Sequence, residues 1–326
     1  MEEAIKNFPK QFLWEPHIVG NERLEVGGWK RFIVCGMGGS ALAGDLLRIS
    51  VWRDYGLPKE IDAKNTFVIA CSYSGNTEET IDAFLEARKR GLPVAAVSTG
   101  GKLLELAIQH HISYIQLPNT GIQPRMAAGY SIKALLKLMG EEEKLMGIKK
   151  LAETLDVEAA GQKGKELSQS LKGKLPIIYS SSRNFPIAYN WKIKFNETGK
   201  IPAFANCFPE LNHNEMTGFD WKRDTNLRMR ANDANGGSFF FILLEDPDDD
   251  PRIIKRMQIT KKLFEDRGLT AYSIGLYGDS IWHKIFQNLL IADWAAFYLA
   301  KFYGVDPEQV PMVEELKKLM QLNVVS

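Results

Sequence analysis

Short, continuous runs of apolar residues alternate with longer amphipathic stretches along most of this chain. Continuous strands rich in Val, Ile and Ala, joined by helices, are typical of a parallel sheet that is covered on both faces. The predicted strands are Phe32–Cys35, Phe67–Ala70, Val94–Val97, Tyr114–Leu117, Leu175–Ser180, Ala203–Phe208, Phe239–Leu244 and Ala271–Ile274. The pattern therefore predicts an α/β fold with two parallel layers.

The alternation stops after Pro118 and resumes near Leu175. Residues 125–172 read as helices broken near Gly140 and Gly147. We therefore predict four parts: an α/β domain over 1–140, a helical connector over 141–174, a second α/β domain over 175–305, and a C-terminal helix within 306–326. The further predicted helices are Glu78–Arg90, Pro186–Glu197, Arg252–Arg267, Ser280–Phe302 and Pro311–Leu322. Two similar strand ends, CSYSGN (71–76) and YSSSRN (179–184), hint that one domain was duplicated.

Charge and cysteine usage exclude several classes of protein. A formal net charge of +1 over 326 residues gives no global field for nucleic acid or an anionic membrane. We find no apolar run of about 18 residues, the length that a membrane helix needs. The three cysteines, Cys35, Cys71 and Cys207, form no CxxC pair and no metal spacing. We therefore expect a cytoplasmic protein without a structural zinc site.

A glycine-rich loop follows the first predicted strand, in CGMGGSALAGD (35–45). Glycines let the backbone approach a ligand, and a helix N-terminus offers free N–H groups. The GxGxxG spacing of a dinucleotide fingerprint is not met, which argues against NAD. We expect no cofactor.

The stretch CSYSGNTEET (71–80) follows the second predicted strand and opens a helix. Ser72, Ser74 and Thr77 can direct hydroxyl groups at one anion there, together with backbone N–H groups. The alternative is simple helix capping by Ser74 or Asn76. Because no P-loop lysine and no Mg²⁺ ligand set accompany the loop, the expected anion is a phosphomonoester on a small molecule.

Both loops together resemble the sugar isomerase (SIS) domain family, a flavodoxin-like fold that binds phosphosugars. The stretch NETGKIPAFANCFPELNHNE (196–215) is similar to the archaeal-type bifunctional phosphoglucose/phosphomannose isomerases, which are homodimers with two tandem SIS domains per chain. QPRMA (123–127) and GVDPEQVPMVEELKK (304–318) extend the resemblance over nearly the whole chain.

The resemblance implies an isomerase that interconverts glucose 6-phosphate and mannose 6-phosphate with fructose 6-phosphate through a cis-enediolate, without a metal. Glu197 would be the base that moves a proton between C1 and C2. His213, supplied by the partner subunit, would open the sugar ring. Arg125 would offset the enediolate charge.

Three further residues receive roles from the same resemblance. Lys317 would assist ring opening, although its neighbour Lys318 is an alternative for that match. Gly39 and Ser40 would line the sugar through a backbone N–H and a hydroxyl. Val310 departs from the family, which has a threonine there, so the relative rates on glucose 6-phosphate and mannose 6-phosphate stay open.

Two other readings remain open from the sequence. A non-catalytic phosphosugar sensor would keep Ser72, Ser74 and Thr77 without needing both Glu197 and His213, but no helix-turn-helix segment or basic stripe is apparent. Another SIS isomerase, or an aminosugar synthase, is the remaining alternative, and a synthase needs a glutaminase domain that begins with cysteine.

Overall fold

The chain forms two parallel sheets and divides into two compact units. A computed structural model describes residues 1–20, 28–220 and 238–322. The N-terminal unit comprises Glu2–Val157 and Gly278–Gln287, and the C-terminal unit comprises Met1, Glu158–Tyr277 and the residues from Asn288 onward. The unit boundary divides the predicted connector 141–174, and residues 323–326 of the predicted C-terminal segment lie outside the described residues. The domain division stays a prediction.

The sheet of the N-terminal unit has the strand order β2-β1-β3-β4-β5, and all of its pairings are parallel. This 2-1-3-4-5 order is that of flavodoxin-like folds. The strands are β1 (Arg31–Cys35), β2 (Ser50–Trp52), β3 (Thr66–Cys71), β4 (Val94–Ser98) and β5 (Tyr114–Gln116). Every residue of β3 is buried, as its continuous apolar run predicts. The prediction missed β2, because this short edge strand is partly exposed and has no apolar run.

Helices cover this sheet and continue into the region predicted as connector. They are α1 (Glu2–Lys6), α2 (Gly38–Leu46), α3 (Glu78–Lys89), α4 (Gly101–Gln109), α5 (Ala128–Met139), α6 (Glu142–Lys149) and α7 (Leu151–Thr154). The predicted break at Gly140 is confirmed, since Gly140 ends α5 with a φ of 73°. The predicted break at Gly147 is wrong: Gly147 lies inside α6, and the chain turns at Lys150 instead. One glycine costs a helix only about 1 kcal/mol, which neighbouring residues can offset.

The C-terminal unit contains a second parallel sheet with the order β7-β6-β8-β9. Its strands are β6 (Lys174–Ser181), β7 (Phe204–Phe208), β8 (Ser238–Glu245) and β9 (Thr270–Gly275). The remaining helices are α8 (Val157–Ser170), α9 (Phe185–Glu197), α10 (Pro251–Glu265), α11 (Ile281–Tyr303) and α12 (Pro311–Leu322). The first residues of α11 belong to the N-terminal unit. No helix in the described ranges is long and apolar enough to cross a membrane.

Each unit has its own hydrophobic core. In the N-terminal unit, Val68 and Ala70 of β3 pack with Phe84 of α3 and with Leu103 of α4. The C-terminal core is aromatic, with Phe241 of β8 only 4.3 Å from Phe264 of α10 between ring centroids. Burying rings of this size contributes several kcal/mol per unit, by the usual relation between apolar area and transfer free energy.

The two sheets share one order, with β7-β6-β8-β9 corresponding to β2-β1-β3-β4. This agreement supports the predicted duplication. The two similar sequences, however, lie at positions that do not correspond. CSYSGN begins at the last residue of β3, whereas YSSSRN begins within the last three residues of β6, the counterpart of β1. The loop that corresponds to CSYSGN is the acidic one after β8.

Candidate active site

Two hydroxyl groups converge where β3 ends and α3 begins. Ser72 Oγ and Thr77 Oγ1 lie 2.8 Å apart, and Ser72 Oγ also accepts a hydrogen bond from the backbone N–H of Gly75 at 3.0 Å. Ser72 is fully buried, while Thr77 is half-buried at the N-cap position of α3. The first N–H groups of a helix and its dipole favour an anion at such a place. We call the loop Ser72–Thr77 the anion loop.

Neither Ser74 nor Asn76 caps α3, so the capping alternative is wrong. Ser74 Oγ accepts from the backbone N–H of Asn76 at 3.3 Å, and Ser74 is exposed. Asn76 Oδ1 accepts from the backbone N–H of Lys102 at 3.0 Å and thereby serves α4 rather than its own helix. The polar residues of the anion loop are therefore not accounted for by the helix that follows them.

The anion loop is braced by the chain between β4 and α4. Thr99 donates its hydroxyl to the carbonyl of Tyr73 at 2.7 Å, and the N–H of Leu103 donates to the carbonyl of Gly75 at 2.8 Å. Gly75 has a φ of 73°, and a Cβ there would lie 1.8 Å from the carbonyl oxygen of Gly100. Only glycine fits at this position.

The glycine-rich loop after β1 packs against the same strand end. Ser40 Oγ accepts from the backbone N–H of Tyr73 at 2.8 Å, which joins α2 to the anion loop. Gly39 lies against Pro124 and Arg125, where a Cβ would be 2.6 Å from the nitrogen of Arg125. Arg125 is 1% exposed, so it is not a surface ion-pair residue.

Two thiols end the neighbouring strands β1 and β3. Burial raises the pKa of Cys35 to about 12, and it also raises the pKa of Cys71. Because only a thiolate is an effective nucleophile, both residues are protonated packing groups near neutral pH. The polar groups left at this strand end are its hydroxyls, its backbone N–H groups and Arg125.

In the C-terminal unit, Glu197 is the last residue of α9, as predicted, and is half-buried. One turn earlier, Lys194 and Asp293 form a buried ion pair at 2.6 Å, which fixes this end of α9 against α11. The carbonyl of Lys194 accepts from the N–H groups of Thr198 and Gly199 and closes the helix. Glu197 thus lies at a helix end that is held by the ion pair and by these backbone hydrogen bonds.

Lys200 is a contact residue that the sequence analysis missed. Its Nζ donates to the backbone carbonyls of Glu197 and Gln309, so it joins the end of α9 to the segment before α12. A lysine in a turn carries no sequence signal of such a distant contact. Lys317 lies on α12, where it is exposed and pairs with Glu314 at 2.7 Å.

His213 lies between two 3₁₀ turns, Glu210–Asn212 and Glu215–Phe219, and is exposed. Its position in a polar turn after β7 agrees with the prediction. Leu211 and Phe219, on either side, are buried in the aromatic core. The segment is therefore anchored at both ends while its histidine stays accessible.

The acidic loop after β8 is neutralised by its own unit. Asp246 and Asp249 are buried and pair with Arg183 at 2.5 and 3.0 Å. Asn184 donates to both carboxylates, and Ser181 donates to Asp249 at 2.9 Å. The strand end that corresponds to the anion loop therefore holds two buried carboxylates that are paired within the C-terminal unit.

The predicted site residues fall into two groups. Within the N-terminal unit, the structure brings together Gly39, Ser40, Ser72, Thr77 and Arg125, with Ser74 exposed on the same loop. Glu197, His213 and Lys317 belong to the C-terminal unit. Over the described part of the chain, no group of three His, Cys, Asp or Glu residues could hold a metal ion.

Comparison with known proteins gives one consistent result. The family model of the bacterial phospho-glucose isomerase C-terminal SIS domain matches residues 160–320. The bifunctional phosphoglucose/phosphomannose isomerase of Aquifex aeolicus is 32% identical over 334 residues, covering 98% of each chain. The protein of that name from Caldicellulosiruptor bescii is 35% identical, covering 97% of this chain and 98% of its own. In fold, the chain is similar to a hypothetical protein from Thermus thermophilus, with a TM-score of 0.66 at 15% identity, covering 100% of this chain and 88% of that one.

Proposed function

Because the chain belongs to the family of bifunctional phosphoglucose/phosphomannose isomerases, we propose that it interconverts glucose 6-phosphate and mannose 6-phosphate with fructose 6-phosphate. It is an aldose–ketose isomerase with two SIS-type sheets. The observation that carries the assignment of its substrate site is the hydroxyl pair of Ser72 and Thr77, 2.8 Å apart at the N-terminus of α3.

The anion loop holds the 6-phosphate in this proposal. Ser72 donates to Thr77 Oγ1, which leaves the Thr77 hydroxyl hydrogen to donate to the phosphate, and the α3 N-terminus supplies N–H groups and partial positive charge. Hydrogen bonds to a charged oxygen are worth roughly 1.5–3 kcal/mol each, enough to anchor one end of the sugar. Ser74 is the outer member of the loop, and its exposed hydroxyl can turn toward a bound anion. Gly39 and Ser40 line the sugar beside it.

Proton transfer falls to Glu197. The carboxylate takes the proton from C2 of the aldose and returns it to C1, while the hydroxyl proton moves from O2 to O1; C1 is reduced and C2 is oxidised within the same molecule, so no external oxidant or reductant is needed. Arg125, buried beside Gly39, offsets the negative charge of the cis-enediolate. Charge stabilisation of this kind is commonly the largest contribution to such a step.

Ring opening precedes proton transfer and needs a group that can exchange a proton near neutral pH. His213 fits by residue type, and its exposed position on an anchored turn suits a residue that acts on a ligand. We propose that it acts in a homodimer, on the substrate of the partner subunit, with Lys317 assisting. The predicted cytoplasmic location stays a prediction.

A coupled assay tests the proposal. Fructose 6-phosphate formation should be measured from glucose 6-phosphate and, separately, from mannose 6-phosphate, in the presence of EDTA. We expect turnover of both aldoses, since a carboxylate and a cationic partner suffice for an enediol. Binding of both sugars without turnover would instead indicate a phosphosugar sensor.

A further inference from the structure

Glu215 lies two residues after His213 and is held by donors from two strands. Tyr179 Oη donates to Glu215 Oε1 at 2.6 Å, and Asn206 Nδ2 donates to Glu215 Oε2. Tyr179 belongs to β6 and Asn206 to the edge strand β7, so one carboxylate joins the His213 segment to both strands.

The geometry of these donors is fixed. Tyr179 is fully buried in the aromatic core, with Phe208 edge-on to its ring. Asn206 Oδ1 accepts from the backbone N–H of Cys207 at 2.8 Å, which turns its Nδ2 toward Glu215. Burial and the neighbouring Glu215 carboxylate raise the pKa of Tyr179, which keeps its hydroxyl protonated as a donor.

The rest of the segment is anchored through the core and through weaker polar contacts. Leu211 and Phe219 are buried, and the ring of Phe219 is edge-on to Phe241 at 4.9 Å between centroids. Asn212 donates to Thr260 Oγ1 at 2.9 Å. Between Leu211 and Phe219, the hydrogen bonds of the Glu215 carboxylate to β6 and β7 are the nearest polar contacts with the sheet on the C-terminal side of His213.

We propose that Glu215 is a positioning residue for His213 in the ring-opening step. The inference rests on the proposed function and deepens it. Because both carboxylate oxygens of Glu215 already accept hydrogen bonds, the residue acts through the segment it holds and not as an alternative to Glu197.

Two substitutions separate this role from general stability. Glu215→Gln keeps an acceptor for Tyr179 but places an amide N–H₂ against Asn206 Nδ2, so one link is lost. Tyr179→Phe removes the other link and leaves the carboxylate in place, which makes it the milder change. Glu210→Gln is the matched control, since Glu210 lies on the same segment, is exposed, and accepts from Asn214 at 2.7 Å.

The readout is steady-state isomerisation of glucose 6-phosphate, which is mostly cyclic in solution. Misplacing a catalytic group by about 1 Å can lower a rate by about a hundredfold, so we expect kcat to fall about ten- to a hundredfold in both variants. The Ki of glucitol 6-phosphate, an open-chain alditol that needs no ring opening, should stay unchanged. Thermal unfolding establishes that each variant is folded at the assay temperature.

A double-mutant cycle gives the decisive comparison. In a His213→Ala background, adding Glu215→Gln should change kcat by a factor of about one, because the group that Glu215 positions is gone. The same loss with and without His213, or variants no slower than Glu210→Gln, would overturn the inference. A wild-type chain that turned over neither aldose phosphate would refute the proposed function instead, and that outcome is distinguished before any variant is compared.

Discussion

Gly39 packs so closely on Arg125 that a Cβ atom at position 39 would lie 2.6 Å from the Arg125 backbone nitrogen. The neighbouring atoms belong to backbone, so they cannot rotate away as a side chain would. Gly39→Ala should therefore displace the turn that carries Arg125. We expect kcat/KM for glucose 6-phosphate to fall about tenfold or more, since misplacing a catalytic group by about 1 Å can lower a rate by about a hundredfold.

Gly147→Ala is the matched control for that substitution. Gly147 lies inside α6, and a Cβ added there would meet no atom of the described residues within 4 Å beyond its own helix backbone. Alanine at this position should raise the free energy of unfolding by about 0.5–1 kcal/mol and leave kcat/KM unchanged. Equal activity of both variants would show that the approach of Gly39 to Arg125 has no functional role.

Thr77→Val removes a hydroxyl from the anion loop while keeping the side-chain shape. Loss of one hydrogen bond to a phosphate dianion should raise KM at least about tenfold. Thr80→Val, one turn along α3, is the control: Thr80 is buried and its Oγ1 has no hydrogen-bond partner among the described residues, so valine should be neutral or stabilising. Inhibition by inorganic phosphate should weaken in the first variant only.

Glu197→Gln should keep the fold and phosphate binding, because the amide has nearly the same shape as the carboxylate. It cannot accept the proton, so isomerisation should fall by about 10²–10⁴-fold. In D₂O the variant should bind fructose 6-phosphate yet incorporate almost no deuterium at C1. Exchange at the wild-type rate would remove Glu197 from the mechanism.

An inactive Glu197→Ala chain and an inactive His213→Ala chain should complement one another if His213 serves the partner subunit. A mixed dimer would hold one site with both residues and one with neither. Random pairing then restores up to about a quarter of the wild-type activity. Absence of recovery, once subunit exchange has been demonstrated by labelling, would place His213 in the site of its own chain.

Val310→Thr should stabilise the start of α12. Val310 directly precedes this helix, and its carbonyl accepts from the N–H groups of Val313 and Glu314, as an N-cap residue does. A threonine hydroxyl there can accept a further backbone N–H, which is worth about 1 kcal/mol in denaturant unfolding. Val313→Thr, the same change within the helix, should give no such gain. An equal effect of both substitutions would exclude capping.

The sequence predicts helix and strand bounds well where the apolar residues of a segment follow a clear helical or strand pattern. The α12 bounds were predicted as observed, and β3 was predicted within one residue at each end, because an amphipathic stripe and a buried run are both local signals. The edge strand β2 was not predicted, because its partly exposed residues do not form a continuous apolar run. Gly147 was misjudged because packing elsewhere in α6 outweighs the cost of one glycine.

The candidate site was predictable only in part, for a related reason. Parallel strands end at one edge of a sheet, so the convergence of Ser72 and Thr77 follows from their place after β3. The contact of Gly39 with Arg125, and that of Lys200 with Gln309, joins residues far apart in sequence. Such contacts depend on how elements pack, which no local pattern records.

The pairing of Arg183 with Asp246 and Asp249 makes the acidic loop after β8 different from the anion loop after β3. If the anion loop holds the phosphate as proposed, it has to be stable with and without that anion, because an enzyme releases its product in every cycle. The carboxylates of the acidic loop after β8 are paired with Arg183 of the same unit, so this loop does not depend on a bound ligand. In the proposed function, phosphate affinity therefore depends on the anion loop of the N-terminal unit, whereas the C-terminal unit contributes Glu197 and His213 and keeps its own strand end closed by the Arg183 ion pairs.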